Sequence, residues 1–268
     1  MWVALCALGL AAGLLAPAPV TAAEPFDAPR AAPKEPRAAP KEPRVALRVL
    51  RAPRDGGDQT AVAVVDLGGR FVLGGGPWGT LVELSPGIAA QFDLQAPSME
   101  LVNADYRVGL GITRVRGAWS GRLELYHQSS HLGDEFLLRK DPVRENVNFE
   151  AVEALLAYRM GAWHLYGGAD ARVRGAPDAL PRRQWLAGLE WRPQVGVATR
   201  PYVAWYGSRE HGGGQRGDSF ALGFEFAAQG VRRHAIRAAL VRYQGHSPFG
   251  QFFTQRIQYT GVLLELVL

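Results

Sequence analysis

From about Val45 onward the chain alternates apolar and polar residues with period two, in segments of about nine to thirteen residues. Ile88, Ala90, Phe92 and Leu94 alternate with Ala89, Gln91, Asp93 and Gln95. Trp119, Gly121, Leu123 and Leu125 alternate with Ser120, Arg122, Glu124 and Tyr126. Trp163, Leu165, Gly167, Ala169, Ala171 and Val173 face away from His164, Tyr166, Asp170, Arg172 and Arg174. Successive side chains of a strand point to opposite faces, so one face is apolar and ends in aromatics while the other carries Arg, Glu, Asp, Gln and Gly. A soluble sandwich also alternates, but with shorter strands and a charged face turned to bulk water. No stretch after residue 23 is long and apolar enough for a transmembrane helix, and only a closed barrel otherwise satisfies the backbone inside a bilayer. Arg237 and Glu265 depart from the alternation, and Ala151 to Leu156 is ambiguous in phase.

The connections follow the same plan. Those at Arg116-Gly117-Ala118, Met160-Gly161-Ala162, 193–199 and Gln229-Gly230-Val231 are short. The stretches 96–105, 128–146, 175–182, 210–217 and 245–255 are longer, and long and short alternate from residue 86 onward. Outer-membrane barrels have short periplasmic turns and long outer loops. The expected fold is therefore all-β: a single antiparallel transmembrane β-barrel over residues 45–268, of about twelve strands. The ending Val262-Leu263-Leu264-Glu265-Leu266-Val267-Leu268 suits a terminal strand read by the barrel-assembly machinery, an expected partner, although it closes on Leu rather than an aromatic.

Trp2 to Leu15 is apolar and too short to span a bilayer, and small residues follow at Thr21-Ala22-Ala23. Residues 1–23 are expected to be a cleaved signal peptide, although no Lys or Arg precedes the apolar run. Cys6, the only cysteine, lies within it, so the mature chain is expected to lack disulfides and cysteine metal sites. Residues 24–44 contain Pro29-Arg30-Ala31-Ala32-Pro33-Lys34-Glu35 and then the same seven residues at 36–42. A proline every three or four residues excludes helix and sheet, giving an extended linker to which no chemistry is assigned. The expected location is the outer membrane of a Gram-negative-type bacterium, and export argues against a nucleic-acid partner. The net charge is +5, and Lys34, Lys41 and Lys140 are the only lysines. Arginine pairs bidentately with phosphate, so outer-membrane lipid, including lipopolysaccharide phosphate, is an expected partner.

The densest concentration of chemistry is His127-Gln128-Ser129-Ser130-His131-Leu132-Gly133-Asp134-Glu135, assigned by the alternation to a long outer loop. Two further polar blocks adjoin outer loops: Asn103-Ala104-Asp105-Tyr106-Arg107, and Gly245-His246-Ser247-Pro248-Phe249-Gly250-Gln251-Phe252. These three blocks, in this order, resemble those of the bacterial family known as domain-of-unknown-function 1207, with the resemblance running from about Pro43 to the C-terminus. It implies a signal-bearing outer-membrane barrel whose activity is unassigned.

Three uses of the rim compete. The leading one is structural or channel-like: Asn103, Asp105, Arg107, His246, Ser247 and Gln251 join the first block in an ordered polar rim at the barrel mouth. The alternative is an outer-leaflet lipid or ester hydrolase. There Ser129 or Ser130 is the nucleophile, His127 or His131 the base and Asp134 or Glu135 the orienting acid. The third is a divalent-ion site on His127, His131, Asp134, Glu135 and His246. That histidine spacing suits a helix better and no standard signature is present, so neither metal nor cofactor is expected. Gly74-Gly75-Gly76-Pro77-Trp78-Gly79 has dinucleotide-loop spacing but lacks a following helix.

Overall fold

A computed structural model describes residues 37–53, 59–193, 199–227 and 235–267. The expected signal segment and residues 24–36 lie outside the described residues. The strands are β1 (Val45–Pro53), β2 (Gln59–Gly68), β3 (Phe71–Gly76), β4 (Thr80–Asp93), β5 (Leu101–Arg116), β6 (Trp119–Leu132), β7 (Val147–Met160), β8 (Trp163–Ala176), β9 (Arg183–Trp191), β10 (Thr199–Glu210), β11 (Arg216–Ala227), β12 (Ala235–His246) and β13 (Arg256–Val267). One short helix, α1 (Asp134–Lys140), follows β6.

All pairings are antiparallel, and two of them close the ring. β1 pairs with β13, from Val45 opposite Leu266 to Arg51 opposite Thr260, and β2 pairs with β4. β3 adds no new position. Gly68 stands opposite Gly87 and Phe71 opposite Leu84, so β2 and β3 form one arm along β4, interrupted at Gly69-Arg70. The result is a closed barrel of twelve strands. Tight turns join β5 to β6 and β7 to β8, where Gly117 (φ 61°) and Gly161 (φ 58°) adopt a left-handed backbone that glycine tolerates without a Cβ clash.

The barrel turns its apolar face outward. Leu110, Leu125 and Leu222 are each more than half exposed, as lipid-facing residues must be, while Glu124 and Glu190 are fully buried in the lumen. The buried charges are paired. Arg48 holds Asp66 through two hydrogen bonds of 2.9 and 2.7 Å. Arg70 reaches Glu124 at 2.7 Å, Arg122 reaches Glu153 at 2.5 Å, and Arg107 stacks 3.6 Å over the Tyr126 ring. Arg237 and Glu265 keep to the alternation: both point inward, opposite each other on β12 and β13, 2.7 Å apart. They disturb the sequence pattern only because their neighbours in the lumen, Ala239 and Leu263, are apolar.

Arg174 does leave the alternation. A bulge between Glu150 and Ala151 shifts the β7–β8 register, so Arg174 stands opposite Glu150, largely exposed, instead of in the lumen.

Residues 37–44 are not an extended linker. They turn back on themselves inside the barrel before β1, with the Arg44 guanidinium bonded to the carbonyls of Arg37 and Ala39. Arg37 pairs with Glu190 and Glu225, Lys41 with Asp105, and Glu42 with Arg122 (2.8 Å) and Arg70 (3.3 Å). Burial pushes the Glu42 carboxyl up, but Arg122, Arg70 and Arg107 together hold it well below the usual carboxylate range. The prolines exclude helix and sheet as expected, while the charges between them find partners on the lumen wall.

Glu124 meets Arg70, Arg107 and Ser85 with no exposure to solvent. Removing one partner of a buried ion network leaves the others unpaired, at a cost of about 3–5 kcal/mol. Glu124→Ala should therefore lower the temperature at which the barrel loses its folded mobility on unboiled gels. The lipid-facing Leu125→Ala should change it far less.

Candidate functional site

β6 continues through the polar block to Leu132, paired with β5 to Leu132 and with β7 to Ser130, so this block belongs mostly to the wall and only its end to a loop. The parity of the strand then divides it. Gln128, Ser130 and Leu132 are buried toward the lumen, while His127, Ser129 and His131 lie on the lipid-facing side.

The inner half is a hydrogen-bonded hub around Asp105. Its carboxylate contacts the Ser130 hydroxyl and the Lys41 ammonium, and it accepts from Asn103 Nδ2 (3.1 Å) and the Gly250 backbone N–H (3.2 Å). Gln251 donates to the carbonyls of Ser130 (2.7 Å) and Glu145 (2.9 Å). The Ser247 hydroxyl accepts from the Phe249 N–H at 3.2 Å, holding the turn that seats the fully buried Phe249 among Leu50, Val62, Tyr243 and Tyr259. Asn103, Asp105, Ser130, Ser247 and Gln251 thus meet at the outer mouth, and the loop after β12 folds over the end of β6. Two expected members bond elsewhere. Arg107 pairs with Glu124 at 3.3 Å and His246 accepts from the Arg216 N–H at 3.2 Å, so neither bonds to the Asp105 hub, although both line the cavity beside it.

The outer half differs. His127 stands opposite Glu150 across the β6–β7 pairing, with Nδ1 3.2 Å from Glu150 Oε1. Arg174 fixes that carboxylate from the other side, Nε to Oε2 at 2.7 Å and Nη2 to Oε1 at 3.2 Å. Ser129, two residues along the same face from His127, stands opposite Tyr106 on β5 and Asn148 on β7. His131 meets the edge of Tyr106, ring centroids 5.9 Å apart.

Neither expected orienting acid reaches an imidazole. Asp134 and Glu135 begin α1, and Glu135 accepts from the Ser98 hydroxyl at 2.5 Å. Ser130 is bound to Asp105 and faces away from both histidines. Glu150, which the sequence did not single out, occupies the position assigned to them. Its signal was its parity with Val152 and Ala154 on the outward face of β7. Among the described residues, no group of three or more His, Cys, Asp or Glu is placed to hold a metal ion.

A closed twelve-strand ring with an apolar exterior, a charged interior and a polar outer rim defines a β-barrel of the outer-membrane kind. The family model "Protein of unknown function (DUF1207)" matches residues 77–266, and the chain belongs to that family. No curated protein matches it in sequence. Among solved structures it is similar to outer membrane phospholipase A from Escherichia coli, at 11% identity and a TM-score of 0.60, covering 88% of this chain and 94% of that one. It is also similar to the dimeric phospholipase of Salmonella typhi with bound calcium, at 12% identity and a TM-score of 0.58, covering 82% and 89%. At such identities the likeness is one of fold.

Asp105→Ala leaves Lys41 and the Gly250 N–H without their acceptor, each orphaned group costing about 1–3 kcal/mol, while the Ser130 hydroxyl keeps Asn103 Oδ1 at 2.9 Å. Limited proteolysis should then cut the 247–255 loop faster than in the unaltered chain. Asp134→Ala, at an exposed helix start, should leave the cleavage rate unchanged.

Proposed function

We propose that the lipid-facing wall of this barrel carries an ester hydrolase site in which Ser129 is the nucleophile, His127 the base and Glu150 the orienting acid. The observation that carries the reading is the His127 Nδ1 to Glu150 Oε1 contact on the same outward face as Ser129. A base oriented by a carboxylate beside a hydroxyl is the general arrangement for an activated nucleophile. With Nδ1 engaged by Glu150, Nε2 is the nitrogen left to take the serine proton. Residues two apart on a strand are separated by roughly 6.8 Å of rise, and Ser129 and His127 are not hydrogen-bonded in this structure, so side-chain rotation on substrate binding has to bring the hydroxyl to Nε2.

The position suits a lipid ester. Below the site the outward residues of β6 are Leu125 and Leu123, and above it comes His131, so Ser129 sits where acyl chains give way to headgroups. Polar and ionisable groups on a lipid-facing wall are costly to keep, which points to use rather than accident. In the reaction, Ser129 Oγ attacks the ester carbonyl as its proton passes to His127, whose imidazolium is held by Glu150. The tetrahedral adduct collapses, the alcohol leaves with that proton, and water releases the fatty acid by the same route in reverse. Asn148, opposite Ser129, supplies an amide donor for the oxyanion. Arg174 and Arg183, at the outer ends of β8 and β9, suit phosphate on the substrate's headgroup.

A second reading rests on a different observation. The Asp105 hub satisfies the inward polar groups without any chemistry, which suits a purely structural rim. Fatty-acid release from mixed phospholipid and lipopolysaccharide micelles, followed by mass spectrometry, separates the two. Ser129→Ala and His127→Ala should each lower release by about a thousandfold or more, and Glu150→Gln substantially, while Ser130→Ala retains it. Absence of release by folded protein, or full activity in Ser129→Ala, would leave the structural rim.

A further inference from the structure

We propose that the barrel lumen is a seat for the Pro-Arg-Ala-Ala-Pro-Lys-Glu heptad, that the copy at 36–42 seals the barrel, and that the copy at 29–35 can take its place. The proposal concerns the lumen and is independent of the lipid-facing site.

The seat matches the described residues of this copy, 37–42, at each of their charges and at Ala38. Every charged side chain that it presents is matched: Arg37 by Glu190 and Glu225, Lys41 by Asp105, Glu42 by Arg122 and Arg70. The Arg37 guanidinium also lies 5.7 Å over the Tyr202 ring, and Lys41 Nζ lies 5.9 Å from that of Phe249. Ala38 packs in an apolar cluster with Tyr202, Ala204, Ala221 and Leu263. Pro43, which follows the heptad, sits against Gly68 and Gly87, where an added Cβ would come within 3.2 to 3.3 Å of its ring. A segment that merely passed through the lumen would not find a complementary partner for each charge.

The partners also explain why occupancy seals. Asp105 is on β5 and Glu225 on β11, six pairings apart in a ring of twelve, so the segment is tied to opposite walls. Above it a cavity of about 190 Å³ remains at the outer side, lined by residues including Lys41, Gln128, Arg172 and Ser208. The segment is the floor of that cavity.

Interchangeability follows from the sequence. Residues 29–35 repeat 36–42 without a difference, and both are followed by Pro-Arg. Deleting 36–42 joins Glu35 to Pro43 and restores the same residue at every position of the seat. Deleting 29–42 leaves none.

Planar-bilayer conductance of the refolded full chain, with folding verified by gel mobility before and after boiling, provides the test. The full chain and the 36–42 deletion should both be closed, and the 29–42 deletion should conduct at least tenfold more. Equal conductance of the two deletions would overturn interchangeability, and a closed 29–42 deletion would overturn the seal. A cross-linking pair remains decisive where the longer deletion fails to fold. In a Cys6→Ser background, Lys34→Cys with Asp105→Cys should be bridged by a short bis-maleimide in the 36–42 deletion but not in the full chain, where Lys41→Cys with Asp105→Cys should be bridged. A side-chain ion pair leaves the backbones too far apart for a direct disulfide. Failure of Lys34→Cys to cross-link in the shortened chain would overturn the proposal.

Discussion

In a closed sheet surrounded by lipid, the parity of a residue decides its solvent. Ser129 and Ser130 are chemically the same and adjacent, yet one lies on the outer face of the barrel and the other against a buried carboxylate. The backbone enforces this division, because every strand must pair on both sides and a one-residue slip would exchange the two faces completely. A block of mixed polar residues on such a strand is therefore two sites, built from alternate letters of the same word.

The inward letters solve an electrostatic problem. A lumen of this width has room for large side chains, and here arginines and carboxylates fill it beside apolar clusters such as Leu50, Val62, Val64 and Phe249. Such pairs are not a cheap source of stability, since each ion gives up its hydration. They do fix the register of the walls where an Arg has its acid directly opposite it, or beside that position, on a neighbouring strand that only one alignment supplies: Arg48 with Asp66, Arg237 with Glu265. The same chemistry accepts residues 37–44, whose charges fit as if they belonged to a further wall.

Much of this was legible in the sequence, and what was not has physical causes. Alternation and strand length identified the barrel, since period two survives whatever the neighbouring strands do. The ends of β5 and β6 ran further than their patterns suggested, because ladder pairing continues through residues, such as Ser129 and His131, that are polar on the outward side. Glu150 was overlooked because its partner lies across a pairing whose register depends on the length of the 133–146 connection. Arg174 was assigned to the lumen because a bulge, which adds one unpaired residue, leaves no mark in a strict alternation. Among the described residues 37–44 the prolines do exclude helix and sheet, but composition alone does not distinguish a solvated spacer from a chain wrapped in its own barrel.

The carboxylate of Asp105 gathers the Lys41 ammonium, the Ser130 hydroxyl and the Gly250 N–H, the last separated from it by 145 residues of sequence. It thereby fastens the first described residues of the chain to the last of its outer loops. A contact of that span closes a loop far longer than any hairpin of the barrel. The outer mouth is therefore where distant parts of the sequence are held to one another, and a barrel with its 247–255 loop latched down has β5 tied to the connection between β12 and β13.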